Sequence, residues 1–123
     1  MIMSIQRYES PLGLPFSRMV RAGGFVFFSG QIPMDSEGKV VKGDIKAQTQ
    51  AVMERLGDSL AEVGLGFQDV IKTTVWLSDL ALFNDFNDTY RQYFSDGLPT
   101  RSTVEAKLAL GVDVEIEIQA LDR

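Results

Sequence analysis

Pro99-Thr100-Arg101-Ser102-Thr103-Val104-Glu105, followed further on by Val114-Glu115-Ile116-Glu117-Ile118, decides how this chain folds. Both pieces change character at every second residue, the period of a half-buried β-strand. Arg101, Thr103 and Glu105 share the polar side of the first, and Asp113, Glu115 and Glu117 that of the second. Two closing strands behind two helical stretches predict a sheet with helices laid on it. They also predict chemistry. An arginine entering one strand, with carboxylates on a neighbouring strand, can hold an anionic substrate and move its protons. Little else here can, because the chain has no histidine and no cysteine.

Working back towards the N-terminus, Ser17–Ala22 and Phe25–Ser29 read as strands joined by Gly23-Gly24, a hairpin-turn signal. Met3–Glu9 is a further strand candidate, and Gly30-Gln31-Ile32-Pro33 breaks regularity. A long helix runs between an N-cap at Asp44 and a C-terminal stop at Gly64. Its apolar stripe is Ile45, Val52, Leu56, Leu60 and Val63. The β-branched run Val70–Leu77 predicts a central strand. Asp79 caps a second helix with the stripe Phe83, Phe86, Tyr90 and Phe94, ended by Gly97 and Pro99. The order predicts a single α+β domain over 1–123, with both helices on one face of one mixed β-sheet. The other face then needs a second layer or a partner chain, and self-association is the economical answer.

At 123 residues the chain can bury roughly two-thirds of its unfolded surface. No apolar run approaches the ~20 residues of a membrane span, and no signal-peptide core is visible, so a cytoplasmic protein with no membrane partner is expected. A net charge of −5 with scattered Lys and Arg argues against nucleic acid as a partner. The missing His and Cys disfavour zinc, thiolate catalysis and Ser-His-Asp triads, and nothing marks a metal site. Glycine pairs such as Gly43-Asp44 and Gly64-Leu65-Gly66 lack phosphate-loop spacing, so no nucleotide cofactor is expected.

Each candidate residue has a plainer reading. Asn87 falls within the second helix stripe, where an unpaired amide costs about 1–3 kcal/mol; a neighbouring backbone group satisfying it is the simpler account. Arg101 offers a fork that matches a carboxylate bidentately, or is a solvated strand end. Glu115 and Glu117 are a wet strand face, or acids whose mutual repulsion and burial raise a pKa into the range useful for proton transfer. Ser29 could donate to an anion and Gly30 permits close backbone approach, although a strand-ending turn explains both.

Together these residues resemble the Rid (YjgF/RidA) family of enamine/imine deaminases. The likeness runs through Pro15-Phe16-Ser17, Phe28-Ser29-Gly30-Gln31-Ile32-Pro33, Gly43-Asp44-Ile45-Lys46-Ala47-Gln48-Thr49, Val70-Ile71-Lys72-Thr73-Thr74-Val75-Trp76-Leu77, Phe86-Asn87-Asp88-Thr89-Tyr90, Arg101-Ser102-Thr103-Val104-Glu105 and Val114-Glu115-Ile116-Glu117. It implies a chorismate-mutase-like fold assembled as a homotrimer, with a central barrel and clefts between subunits. It implies hydrolysis of 2-imino acids such as 2-iminobutanoate and 2-iminopropanoate to 2-oxo acids and ammonia, with no cofactor. On that pattern Arg101 holds the substrate carboxylate and Glu115 is the acid–base residue. Ser29, Gly30 and Asn87 line the cleft, and Thr103 stands where cysteine is common. Phe16 replaces a tyrosine common in active deaminases. The segment from Arg101 to Glu115 is one residue shorter than usual, which keeps Glu117 as the alternative acid–base residue. Other readings are a non-catalytic small-metabolite-binding module, a deaminase dedicated to one pathway, and the endoribonuclease activity attached to some members.

Overall fold

The computed structural model describes residues 4–123. Its strands are β1 (Gln6–Glu9), β2 (Ser17–Ala22), β3 (Phe25–Gln31), β4 (Val70–Leu77), β5 (Thr100–Glu105) and β6 (Val114–Leu121). The helices α1 (Ile45–Glu62) and α2 (Phe83–Tyr90) follow β3 and β4. The first strand is shorter than expected from sequence, and the Met3 end of that expectation lies outside the described residues. Gly23 and Gly24 both take positive φ, 61° and 85°, as a two-residue hairpin turn with the twist of its strands requires.

One six-stranded mixed sheet has the order β1-β2-β3-β6-β4-β5. β6 inserts between β3 and β4, antiparallel to both, so β3 and β4 run the same way around it. β5 lies parallel to β4 at the edge. The two closing strands are therefore not neighbours: β4 separates them. Local periodicity defines each strand but carries no information on pairing across the sheet.

α1 begins where expected, with the Asp44 carboxylate accepting from the Ala47 N–H, and Gly64 (φ 75°) follows its end. Its stripe is buried against the sheet together with Met19, Val26, Phe28, Val75, Ile116 and Ile118. Asp79 caps a 3-10 turn, Leu80–Leu82, that runs into α2 rather than α2 itself. Phe86 and Tyr90 are buried, while Phe83 stays 39% exposed. α1 and α2 pack against each other, and both lie on one face of the sheet. Along the opposite face Phe27, Val104 and Leu121 remain 43%, 45% and 46% exposed. No described helix is long and apolar enough to cross a membrane.

Candidate active site

Cross-strand register fixes which way each candidate residue points. Thr73 on β4 is buried, and its hydroxyl bonds the Tyr90 phenol of α2 at 2.8 Å, so it faces the helices. Its partners across the ladders, Arg101 on β5 and Ile118 on β6, share that face. Thr103, opposite Val75, lies two residues further along the same side. Trp76 points the other way, and with it Val104 and Glu115. Arg101 and Glu115 thus occupy opposite faces of one sheet, two strand spacings or roughly 10 Å apart laterally. The expectation that both lie on adjacent strands is corrected: within one protomer they form two separate clusters.

The first cluster is built on α2 and the edge strand. The Arg101 guanidinium sits 5.4, 5.4 and 5.0 Å from the ring centres of Phe83, Phe86 and Tyr90. The π-faces hold the cation in place of a carboxylate. Among the described residues no Asp or Glu pairs with it, so its charge stays available to a ligand. Burial pushes the Tyr90 phenol above its ordinary pKa, against the opposing pull of its bond to Thr73 and of the neighbouring Arg101. Asn87 and Arg101, with Tyr90, Arg91, Leu98 and Pro99, line a cleft of about 250 Å³. The Asn87 amide oxygen is buried with no hydrogen-bond partner among the described residues. The simpler account, an amide satisfied by neighbouring backbone, does not hold. The unpaired acceptor belongs to a residue of the cleft wall.

The second cluster gathers at the end of β3. The strand does not stop at Ser29 but continues to Gln31, with a register shift between Phe28 and Gln31 that places the Ser29-Gly30 irregularity opposite β6. The Ser29 hydroxyl donates to the Ser17 carbonyl at 2.6 Å, pinning β3 to β2 directly beside Phe16, which is 52% exposed. Gly30 has no positive φ; its missing side chain makes room for the Glu115 carboxylate. A methyl there would stand 3.1 Å from the Glu115 Cδ and 3.3 Å from its Cγ. Burial, and then repulsion from Glu117 on the same face, raise the Glu115 pKa above the ordinary carboxylate value. Glu117 is exposed.

The start of β6 is fixed by a buried clamp. The Gln48 amide donates to Asp113 Oδ2 at 2.9 Å and to the Gly43 carbonyl, and accepts from the Asp113 N–H. The Ser78 hydroxyl donates to Asp113 Oδ1 at 2.6 Å. These bonds set the register two residues before Glu115. Asp113 is thus a structural anchor rather than a third member of an acidic face. Among the described residues no group of three or more acidic side chains converges as a metal site would require.

Sequence reasoning missed Arg91 and Leu98. Arg91 follows Asn87 by four residues, the spacing that puts two side chains on one helical face, and that signal was available.

Comparison with known proteins adds relatives along the whole length. A family profile described as Endoribonuclease L-PSP matches residues 10–122. A RutC family protein from Pyrococcus horikoshii is 45% identical over 121 residues, covering 98% of this chain and 94% of its own. The human 2-iminobutanoate/2-iminopropanoate deaminase is 37% identical over 122 residues, covering 98% and 88%. The crystal structure of yeast Mmf1 superposes with a TM-score of 0.91 at 30% identity, covering 98% of this chain and all of that one.

Proposed function

This chain belongs to the endoribonuclease L-PSP (YjgF/RidA) family, and from that premise we propose that it hydrolyses 2-imino acids to 2-oxo acids and ammonia. One observation carries the reading. Arg101 is an aromatic-seated fork with no internal carboxylate among the described residues, in a cleft walled also by Asn87, whose amide oxygen has no partner among them. That is a seat for a small carboxylate bearing a nitrogen donor. The human relative's name, an iminobutanoate/iminopropanoate deaminase, points the same way.

In this reaction R–C(=NH)–COO⁻ and water give R–CO–COO⁻ and NH₃. Arg101 orients the substrate through its carboxylate. Glu115, ionised, accepts a proton from the water attacking the imine carbon. It passes that proton to the imine nitrogen, giving the tetrahedral carbinolamine. It then takes the proton of the new hydroxyl and delivers it to the same nitrogen, so that the C–N bond breaks with NH₃ leaving as the C=O bond forms. Its raised pKa makes it a stronger base than an ordinary glutamate. Glu117, beside it, is the alternative for the same role.

Since Arg101 and Glu115 point away from each other, one protomer does not hold a whole site. We place the complete site between copies, in a homotrimer whose sheets pack through the face carrying Phe27, Val104 and Leu121. Sedimentation equilibrium at micromolar concentration is expected to return three times the 13.7 kDa chain mass; a monomer would remove the shared site. The activity test is release of pyruvate and ammonia from iminopropanoate generated in situ. A stable cleft that binds 2-oxo acids without accelerating hydrolysis would instead establish a binding module, the reading that Phe16 in place of tyrosine favours.

Gly30→Ala is expected to lower turnover by roughly tenfold or more, because misplacing a reacting group by about 1 Å is costly. The circular dichroism spectrum should be retained. Unchanged turnover would show that the Glu115 carboxylate relocates without consequence.

A further inference from the structure

We infer that Arg91 makes this cleft select ligands carrying a second anionic group, so that its preferred substrates are dicarboxylic 2-imino acids, the imines of acidic amino acids. The inference deepens the function proposed above and rests on Arg101 as the anchor of the first carboxylate.

Three observations carry it. Arg91 and Arg101 line the same cleft, and no acidic side chain lines it with them. Among the described residues Arg18, Arg21 and Arg123 are each paired, with Glu62, Asp122 and Asp69, whereas no carboxylate pairs with Arg91 or Arg101. Two arginines without a carboxylate partner, Arg91 exposed and Arg101 half-buried, therefore line one recess of a chain whose net charge is −5. Anionic charge placed in that recess is attracted to both.

The geometry suits one ligand with two acidic ends. The Arg91 N–H donates to the Asn87 carbonyl in the last turn of α2, so the two side chains lie one helical turn apart on a common wall. Asn87 would meet the nitrogen of a substrate held at Arg101, and Arg91 would stand about 5–6 Å beyond it. That is where the side-chain carboxylate of a four- or five-carbon diacid extends. Leu98, 66% exposed on the same cleft, offers an apolar surface to the intervening methylenes.

A cation at a helix C-terminus also complements the helix dipole, and the experiment must separate that role from ligand selection. The probes are 2-oxoglutarate and 2-oxobutanoate, titrated by isothermal calorimetry at low salt into wild type, Arg91→Ala and Arg91→Lys. Wild type is expected to bind 2-oxoglutarate at least fivefold more tightly. Arg91→Ala should collapse that ratio towards one, and Arg91→Lys should restore part of it. A dipole role would move thermal stability while leaving the ratio intact, which would overturn the inference. So would equal binding of the two acids in wild type, or no binding of either at millimolar concentration. Failure of imine hydrolysis with the diacid ratio preserved would sink the deaminase reading and leave this selectivity standing.

Discussion

Arg101→Ala is expected to reduce kcat/KM for imine hydrolysis by more than about 10²-fold. Bonds between a ligand and a charged group are worth roughly 1.5–3 kcal/mol each, and the fork makes two of them. The cation is not engaged elsewhere: three aromatic faces seat it, and among the described residues no carboxylate discharges it. Arg101 gives the sheet its backbone pairing with Thr73, which alanine keeps, so the variant should keep its oligomeric state. Arg101→Lys should recover little, because an ammonium cannot form two parallel bonds and sits differently over the rings. Full activity in Arg101→Ala would show that the arginine is only a strand end packed on aromatics.

The second large effect is expected at β6. Glu115→Gln should lower kcat by roughly 10²–10⁴-fold with a much smaller change in KM, since the amide keeps the shape and loses proton exchange. Glu117→Gln should cost far less. Its signature lies in the pH profile. Activity requires ionised Glu115, so the rate falls on the acid side as that group protonates, above the ordinary glutamate value of about 4.3. Burial and the Glu117 charge both favour the protonated form. Removing the Glu117 charge therefore lowers the Glu115 pKa and moves the acid limb to lower pH. The reverse ranking of the two variants would assign the proton transfer to Glu117.

Much of the architecture was legible because its determinants are local. Asp44 and Gly64 mark α1 by cap chemistry and a positive φ, and the β-branched run at 70–77 needs no tertiary information to read as a strand. The insertion of β6 between β3 and β4 was not legible, because nothing within either strand specifies its neighbour. The site suffered for the same reason. Alternation shows that Arg101 and Thr103 share a side, but a polar side suggested water, whereas they face the helix layer at an edge α2 only partly closes. Asn87 was legible as an amide on an apolar stripe; that its oxygen finds no partner needed the packed structure.

The opposed orientation of Arg101 and Glu115 has a genetic consequence. If each working site takes its arginine from one copy and its glutamate from the next, two separately dead proteins can repair each other. Arg101→Ala and Glu115→Gln chains, unfolded together and refolded as mixed assemblies, would regain some intact junctions. Random mixing at equal amounts gives about a quarter of the wild-type number in a closed ring with one junction type. A chain carrying both changes would rescue neither parent, and would act as a dominant poison when mixed with wild type.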